Sequence, residues 1–306
     1  MKRCFLNERL KNIFLKNRDM RFIKMTGGLG NQMFIYAFYM RMKKHYSNTR
    51  IDLSDMVHYK AHNGYEMHRV FNLPPIEFRI NQPLKKVIEF LFFKKIYERK
   101  QVPSSLVPYD KKYFWPLLYF KGFYQSERFF ADMADDIRKT FTFNLRLSNK
   151  KTKEMSEQID HDENAVSIHV RRGDYLEPKY WKTTGCVCQL PYYLNAIAEM
   201  NKRISQPSYY VFSDDIAWVK ENLPLPKAFF IDWNKGAESW QDMMLMSRCR
   251  HHIICNSTFS WWGAWLNPRE NKTVIMPERW FRHCETPDIC PDKWIKVPIN
   301  QPDSIQ

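Results

Sequence analysis

Short apolar strands alternate with helical segments along most of this 306-residue chain. The clearest strand carries apolar side chains at Val166, Ile168 and Val170, and a helix led by Pro191 follows it. Alternating apolar residues are typical of a β-strand, and proline is common in the first turn of a helix. Strands that alternate with helices favour sheets whose strands run parallel. The order of elements therefore predicts an α/β fold with mostly parallel sheets.

The first half of the chain shows the same order of elements. Residues 22–25 predict a strand, residues 27–30 a glycine turn, and residues 31–44 a helix. The polar run 149–164 indicates a domain junction between this half and the next. The predicted units are therefore residues 20–160 and residues 161–306.

Further elements are predicted from local sequence signals. Ser126 is a plausible N-cap for a helix that runs to about Thr140. Ser239 and Asp242 have the spacing of a capping box before a Met-rich helix. Short apolar strands are expected over residues 51–53, 209–212, 229–231, 253–255 and 274–275.

Two basic amphipathic segments have more than one interpretation. Residues 1–19 place apolar side chains at helical spacing among lysines and arginines. They are predicted to form either a helix on a membrane surface or a leader outside the fold. Residues 84–100 have the same pattern and are expected to form a helix that packs on the body of the protein, with membrane contact as the alternative.

The net charge limits the kind of partner. The chain has 48 Lys and Arg against 33 Asp and Glu, a net charge of +15, which favours nucleic acid, an acidic membrane surface or a phosphorylated substrate. A hydrophobic content of 44% excludes a disordered chain. No window reaches the roughly 18 apolar residues that a membrane span needs. The seven scattered cysteines lack a CxxC pair, which disfavours a zinc ribbon or a disulfide framework and favours a reducing cytoplasm.

A glycine-rich turn lies where the first strand gives way to a helix. Gly28 and Gly30 lie within residues 26–33 and let a ligand approach the backbone at a helix N-terminus. Met33 occupies the position at which a dinucleotide fingerprint needs a third glycine, and no Gly-Lys pair forms a Walker loop. The alternative is a tight turn that requires positive φ.

Two arginines follow the clearest strand. Ligands bind beyond the carboxyl ends of strands in open α/β sheets, so residues 169–175 are expected to face a crevice. Arginine is suited to bidentate phosphate recognition. We expect one of Arg171 and Arg172 to reach a diphosphate while the other pairs with Asp174. A surface salt bridge is the alternative.

A third strand, polar turn and helix occupies residues 253–265. Ser257, Thr258 and Ser260 offer hydroxyl and backbone N–H groups at the N-terminus of the helix, which suits a phosphate. The tryptophans of this helix are expected to pack on a core rather than to stack on a ligand.

Asp214 and Asp215 end a strand and suit hydrogen bonds from a base or ribose, or the start of a turn. A metal site is not expected. The carboxylates of residues 160–162 precede their strand, and the adjacent His251 and His252 face opposite ways on a strand.

Four segments, in this order, resemble the bacterial α-1,2-fucosyltransferases of glycosyltransferase family 11. They are residues 27–34, 169–175, 212–215 and 256–267, and the resemblance spans the chain from about residue 20 to about residue 298. It implies a GT-B-like fold, in which two Rossmann-like α/β halves face a cleft. It also implies transfer of L-fucose from GDP-β-L-fucose to the 2-hydroxyl of a galactose, with inversion at the anomeric carbon and without a metal.

The resemblance also implies roles for individual residues. Arg171 would grip the β-phosphate, with Arg172 beside it. A carboxylate is the natural base for the acceptor hydroxyl, and Asp174 is the first candidate and Glu177 the second. The expected donor-binding residues are Gly28, Gly30, Asn31, Gln32, His169, Arg171, Arg172, Asp214, Asp215, Asn256, Ser257, Thr258 and Ser260.

The implied partners are GDP-fucose and a lipid-linked β-galactoside glycan, with no further cofactor. Residues 20–160 are expected on the acceptor side. Contacts with the acceptor are expected from the loops 55–80 and 176–190. The net charge favours a cytoplasmic protein on the inner face of an anionic membrane. One alternative is a transferase of another GDP-linked deoxysugar or linkage. A basic nucleic-acid-binding protein is the remote alternative, because the chain carries no signature of that class.

Overall fold

The computed structural model describes residues 21–56, 59, 62–74, 83, 119–181, 184–282 and 287–299. The first half contains a parallel sheet with strand order β2-β1-β3. Its elements are β1 (Arg21–Lys24), α1 (Leu29–His45), β2 (Thr49–Asp52), α2 (Met67–Val70), β3 (Tyr119–Phe120), α3 (Ala134–Thr140) and α4 (Lys150–Asp160).

The second half contains a six-stranded parallel sheet with strand order β6-β5-β4-β7-β8-β9. Its core strand β4 is buried along its whole length, as expected of a strand covered on both faces. The elements are β4 (Ala165–Val170), α5 (Leu190–Arg203), β5 (Ser208–Ser213), α6 (Ile216–Asn222), β6 (Ala228–Ile231), α7 (Trp240–Arg248), β7 (His251–Ile253), α8 (Thr258–Leu266), β8 (Val274–Pro277) and β9 (Ile295–Val297).

The strand order of the second sheet reverses between β4 and β7. The chain leaves β4 toward β5 on one side, whereas β7 pairs with the other side of β4. Such a switch point opens a crevice at the carboxyl ends of the strands, where ligands of open α/β sheets bind. Two parallel α/β halves facing a cleft confirm the predicted GT-B-like fold class.

The two halves share an aromatic core. Trp262 is fully buried and its indole Nε1 donates to the carbonyl of Gly30, 2.9 Å away. The ring of Phe34 on α1 lies 4.5 Å from that of Trp261 and 4.9 Å from that of Trp262. The predicted packing of the tryptophans on a core is confirmed, and it fixes the N-terminus of α8 against that of α1.

The polar run 149–164 forms a helix rather than a linker. Asn149 caps α4 by accepting a hydrogen bond from the backbone of Thr152 at 2.9 Å. Its own backbone N–H donates to Gln241, and its side chain donates to Asn234, both in the second half. The run is therefore polar because one helix face is exposed, and the division near residue 160 stays a prediction.

Two predicted caps differ from the structure. Ser126 caps only a short 3-10 turn, and a second such turn precedes α3 because Phe130 interrupts the helix with φ −146°. The capping box at Ser239 is wrong, since its backbone is helical and its side chain makes no cap hydrogen bond. The strand predicted over 253–255 begins two residues earlier, as β7.

The predictions for residues 1–19 and for the helix over 84–100 lie outside the described residues. Among the helices of the described ranges, none combines the length and the hydropathy that a membrane span requires.

Candidate active site

A cleft of about 740 Å³ lies between the two halves. The second half lines it with the carboxyl ends of β4 and β5 and with the start of α7. The first half contributes Gly28 and Leu29 of the glycine turn together with the segment 62–66, through His62, Asn63 and Glu66. The cleft therefore lies at the carboxyl ends of the strands, as predicted, and the first half lines its opposite side.

Arg171 provides a fixed positive charge in this cleft. Its Nε and Nη2 donate to the two carboxylate oxygens of Asp174 at 3.0 and 2.9 Å. Burial opposes the charge, but these hydrogen bonds raise the pKa of Arg171 above its usual value. Asp174 takes two of the five guanidinium N–H groups, and the other three have no hydrogen-bond partner among the described residues. The arrangement suits an oxyanion in the cleft.

The sequence suggested that Arg172 lies beside Arg171 at the diphosphate, but its side chain has other partners. Its Nε donates to Asp215 at 3.1 Å and its guanidinium stacks on Trp218 at 3.9 Å. It lines an adjoining pocket of about 250 Å³, which Arg171 also lines, and it does not line the cleft. Only one of the two arginines therefore reaches the cleft, and that one pairs with Asp174.

The aspartate pair divides in the same way. Asp214 lines the cleft and accepts a hydrogen bond from the backbone of Arg172 at 2.8 Å. Asp215 caps α6 by accepting from the backbone of Trp218 at 3.1 Å. The predicted nucleotide contact therefore fits Asp214, whereas Asp215 holds Arg172 and the helix.

His169 lines the cleft as predicted. It is buried, and its Nδ1 lies 3.2 Å from the thiol sulfur of Cys255. Burial, and secondly the charge of Arg171, lower the pKa of His169 to about 3. The imidazole is therefore neutral at physiological pH and forms an uncharged wall beside Arg171.

The hydroxyl groups at the N-terminus of α8 are mostly used within the turn. Ser257 is buried and caps the helix through the backbone of Phe259 at 3.3 Å, and Ser260 donates back to Ser257. Asn256 is also buried and donates to the carbonyls of Thr184 and Trp280, away from the cleft. The predicted contacts of Asn256, Ser257 and Ser260 with the donor are therefore not supported by the geometry.

The predicted glycine-turn residues have two functions in the structure. Gly30 packs directly on Thr258, because a Cβ added to it would lie 2.6 Å from the Thr258 hydroxyl. Gln32 is fully buried, and its amide donates to Gly27 and Gly64 and accepts from the backbone of Glu66. Gln32 therefore holds the turn against the segment 62–66 and does not itself reach the cleft.

Asn31 also has a protein partner. Its side-chain oxygen accepts a hydrogen bond from Gln125 at 2.7 Å, and neither residue lines the cleft. Of the predicted residues in the first motif, Gly28 alone lines the cleft.

Of the predicted catalytic carboxylates, Asp174 is engaged by Arg171, and Glu177 is exposed and does not line the cleft.

Asp242 was missed as a cleft residue because the capping-box interpretation explained it. It lies in the first turn of α7, lines the cleft and accepts a hydrogen bond from Asn234 at 2.8 Å. Burial raises the pKa of Asp242 to about 7, although the hydrogen bond from Asn234 opposes the shift. A half-buried carboxylate in a cleft with such a shift is a candidate binding residue. A polar residue among the buried Met and Leu side chains of α7 was the available signal.

His62 and Asn63 were also missed, although the loop 55–80 was expected to contribute to the site. No local pattern marks either residue, since their position depends on hydrogen bonds to distant segments. Among the described ranges, no three His, Cys, Asp or Glu side chains come together as metal ligands would.

Comparisons with known proteins identify relatives across the chain. The family model described as glycosyl transferase family 11 matches residues 11–297. An alpha-1,2-colitosyltransferase of Escherichia coli is 32% identical over 293 residues, which are 90% of this chain and 97% of that protein. A galactoside alpha-(1,2)-fucosyltransferase 1 of Ateles belzebuth is 31% identical over 160 residues, 49% of this chain and 43% of that protein.

Among solved structures, a variant of FUT1 of Arabidopsis thaliana in complex with GDP has a TM-score of 0.45 and 12% sequence identity, covering 84% of this chain and 70% of that chain.

Proposed function

This chain belongs to glycosyl transferase family 11, and we propose that it transfers L-fucose from GDP-β-L-fucose to the 2-hydroxyl of a terminal β-galactoside. The names of both relatives support an α-1,2 linkage, and one of them supports a galactoside acceptor and fucose. The observation that carries the proposal is Arg171, held in the cleft by Asp174 at the carboxyl end of β4.

A colitosyl donor is the second candidate, because the colitosyltransferase aligns over 97% of its length. Colitose differs from fucose in lacking the 3-hydroxyl group. The two sugars otherwise present similar surfaces to the cleft. Peripheral contact with an anionic membrane stays a prediction that rests on the net charge of +15.

The proposed reaction is an inverting displacement that needs no divalent metal. As the bond between C1 of fucose and the β-phosphate breaks, negative charge grows on the phosphate. A positioned cation stabilises this charge without reorganising. Asp174 supplies that positioning for Arg171, because it holds the guanidinium through two parallel hydrogen bonds.

The decisive test is GDP release from GDP-fucose by the purified protein, with and without lactose, in excess EDTA. We expect release that depends on lactose, an α-1,2 product by NMR, and an unchanged rate in EDTA. Loss of activity in EDTA would contradict metal independence. GDP binding without transfer of fucose would contradict the assigned sugar or acceptor. A colitosyl donor that competes in the same assay shows which of the two sugars, fucose or colitose, the protein prefers.

We propose that Asp242 binds the guanine base. The N1–H and 2-amino groups of guanine are donors that a carboxylate accepts, and Asp242 is a half-buried carboxylate that lines the cleft. Hydrogen bonds to charged groups contribute about 1.5–3 kcal/mol. We therefore expect Asp242→Asn to weaken GDP binding by roughly tenfold or more, measured by calorimetry.

The pH dependence of GDP binding provides a second test of Asp242. Since the pKa of Asp242 is raised to about 7, the carboxyl group is protonated below that pH and accepts fewer hydrogen bonds. Affinity for GDP should therefore rise between pH 6 and pH 8 in the wild type, and less so in Asp242→Asn. The matched control is Asp232→Asn, an exposed carboxylate of the same cleft. Equal losses in both variants would contradict a specific role for Asp242.

A further inference from the structure

We propose that His62 is the general base that accepts the proton of the acceptor hydroxyl. The inference rests on the proposed function and assigns a step that Asp174 and Glu177 were expected to perform. It is carried by the position of His62 in the cleft, on the first half of the fold and opposite the strand ends that carry Arg171.

The direction of attack places the base on the first half. In an inverting displacement, the acceptor oxygen approaches C1 from the side opposite the leaving diphosphate. Arg171 belongs to the second half, so the acceptor side of the donor faces the first half. That half lines the cleft with Gly28, Leu29 and three side chains of the segment 62–66, of which only His62 and Glu66 are able to accept a proton.

The carboxylates near this side have other partners. Glu66 is buried, and its Oε1 accepts hydrogen bonds from Asn63 and Arg69 at 3.2 and 3.0 Å. Both oxygens of Asp174 are held by Arg171. In contrast, neither ring nitrogen of His62 has a hydrogen-bond partner in the part of the chain that the structure describes.

The backbone holds His62 firmly at this position. Its φ of 57° lies in the left-handed region, which histidine adopts more readily than most non-glycine residues. The ring lies over Gly28, where an added Cβ would be 3.2 Å from Cγ and Cδ2 of the imidazole. Asn63 next to it donates to the carbonyl of Gly236 in the second half at 2.9 Å. The segment is therefore fixed to both sides of the cleft.

The surroundings of His62 keep the imidazole neutral. Partial burial and the charge of Arg171 lower its pKa below the usual histidine value, and Asp174 opposes this shift. Another titratable neighbour is Tyr59, whose ring lies 6.3 Å from that of His62. A neutral imidazole has a free lone pair at pH 7 and is suited to act as a base.

In the proposed step, the acceptor 2-hydroxyl loses its proton to a ring nitrogen of His62, which becomes imidazolium. The acceptor oxygen forms the new bond to C1 of fucose. The bond from C1 to the β-phosphate oxygen breaks, and its electron pair leaves with GDP. Solvent takes the proton from His62 before the next turnover.

The test compares His62→Asn with His68→Asn. Asparagine and histidine both tolerate left-handed backbone, so the first variant keeps the loop. His68 is an exposed histidine six residues away that does not line the cleft. We expect His62→Asn to lower kcat for transfer to lactose by about 10²- to 10⁴-fold, while the GDP Kd changes less than about threefold. The acidic limb of the pH profile of kcat at saturating GDP-fucose, present in the wild type, should be absent. His68→Asn should behave as the wild type.

A second variant distinguishes loss of the general base from disruption of the loop. His62→Gly accepts positive φ and leaves space at the ring position, so added imidazole should restore part of its kcat. The inference is overturned if His62→Asn retains more than about a third of kcat with an unchanged acidic limb. It is also overturned if GDP affinity falls as much as kcat. A wild-type protein that binds GDP but transfers no fucose overturns the proposed function and this inference together, whereas an active His62→Asn enzyme overturns the inference alone.

Discussion

Arg171→Ala should abolish fucosyl transfer while the protein stays folded. The guanidinium is the cation that Asp174 positions in the cleft, and charge on the leaving phosphate develops as the transition state forms. Removal of one donor aimed at such charge costs about 10²- to 10³-fold in kcat. We therefore expect kcat to fall by about 10²- to 10³-fold, measured by GDP release. A variant that retains more than about a tenth of the rate, a loss under roughly 1.4 kcal/mol, would contradict this role.

The adjacent arginine provides the matched control. Arg172 is paired with Asp215 and stacks on Trp218, outside the cleft. Arg172→Ala should therefore retain most of its transfer activity and lose about 1 kcal/mol of stability, through the contacts to α6. Equal loss of activity in both variants would show that both arginines hold the diphosphate, as the resemblance to the family implied.

The strand ends explain which predictions from the sequence succeed. His169, Arg171 and Asp214 were placed at the ends of β4 and β5, and all three line the cleft. Parallel strands have their carboxyl ends at one edge of the sheet, where ligands bind. A pattern of alternating apolar residues is enough to locate the strands, and it therefore also locates the residues at their ends.

The pairing of side chains at those ends was not predictable. Arg171 and Arg172 are chemically equivalent in the sequence, and their roles differ only because the backbone turns one of them toward Trp218. The hydroxyls of Ser257 and Ser260 illustrate a related problem. The residue types that suit a phosphate at a helix N-terminus also cap the helix itself, and here they cap it.

The first half's side of the cleft depends on contacts between distant parts of the chain. Gln32 bonds to Gly64 and Glu66, more than thirty residues away, and Asn63 bonds to Gly236 across the cleft. Local propensity carries no information about such pairs. Asp242 was missed for a different reason, since a capping box and a half-buried ligand-binding carboxylate share one sequence pattern at the start of a helix.

Gly30→Ala is expected to destabilise the contact between the two halves of the fold. An added Cβ would lie 2.6 Å from the hydroxyl oxygen, 2.7 Å from the carbonyl carbon and 2.8 Å from the carbonyl oxygen of Thr258. Backbone atoms move only if α8 shifts, and α8 is anchored by the bond from Trp262 to Gly30. Overpacking of this kind costs about 1–3 kcal/mol, so we expect a fall of several degrees in Tm by calorimetry. GDP binding should weaken with it, because both halves line the cleft.

Gly28→Ala tests whether the close contact causes this effect. Gly28 lies in the same turn, has an extended backbone with φ −74°, and would meet only the exposed ring of His62 at 3.2 Å. A side-chain ring is able to move aside, so the Tm of Gly28→Ala should stay near that of the wild type. A Gly30→Ala protein with unchanged Tm and GDP affinity would mean that the halves do not depend on the contact between α1 and α8. An equal loss in both variants would assign the effect to the turn rather than to the joint between the halves.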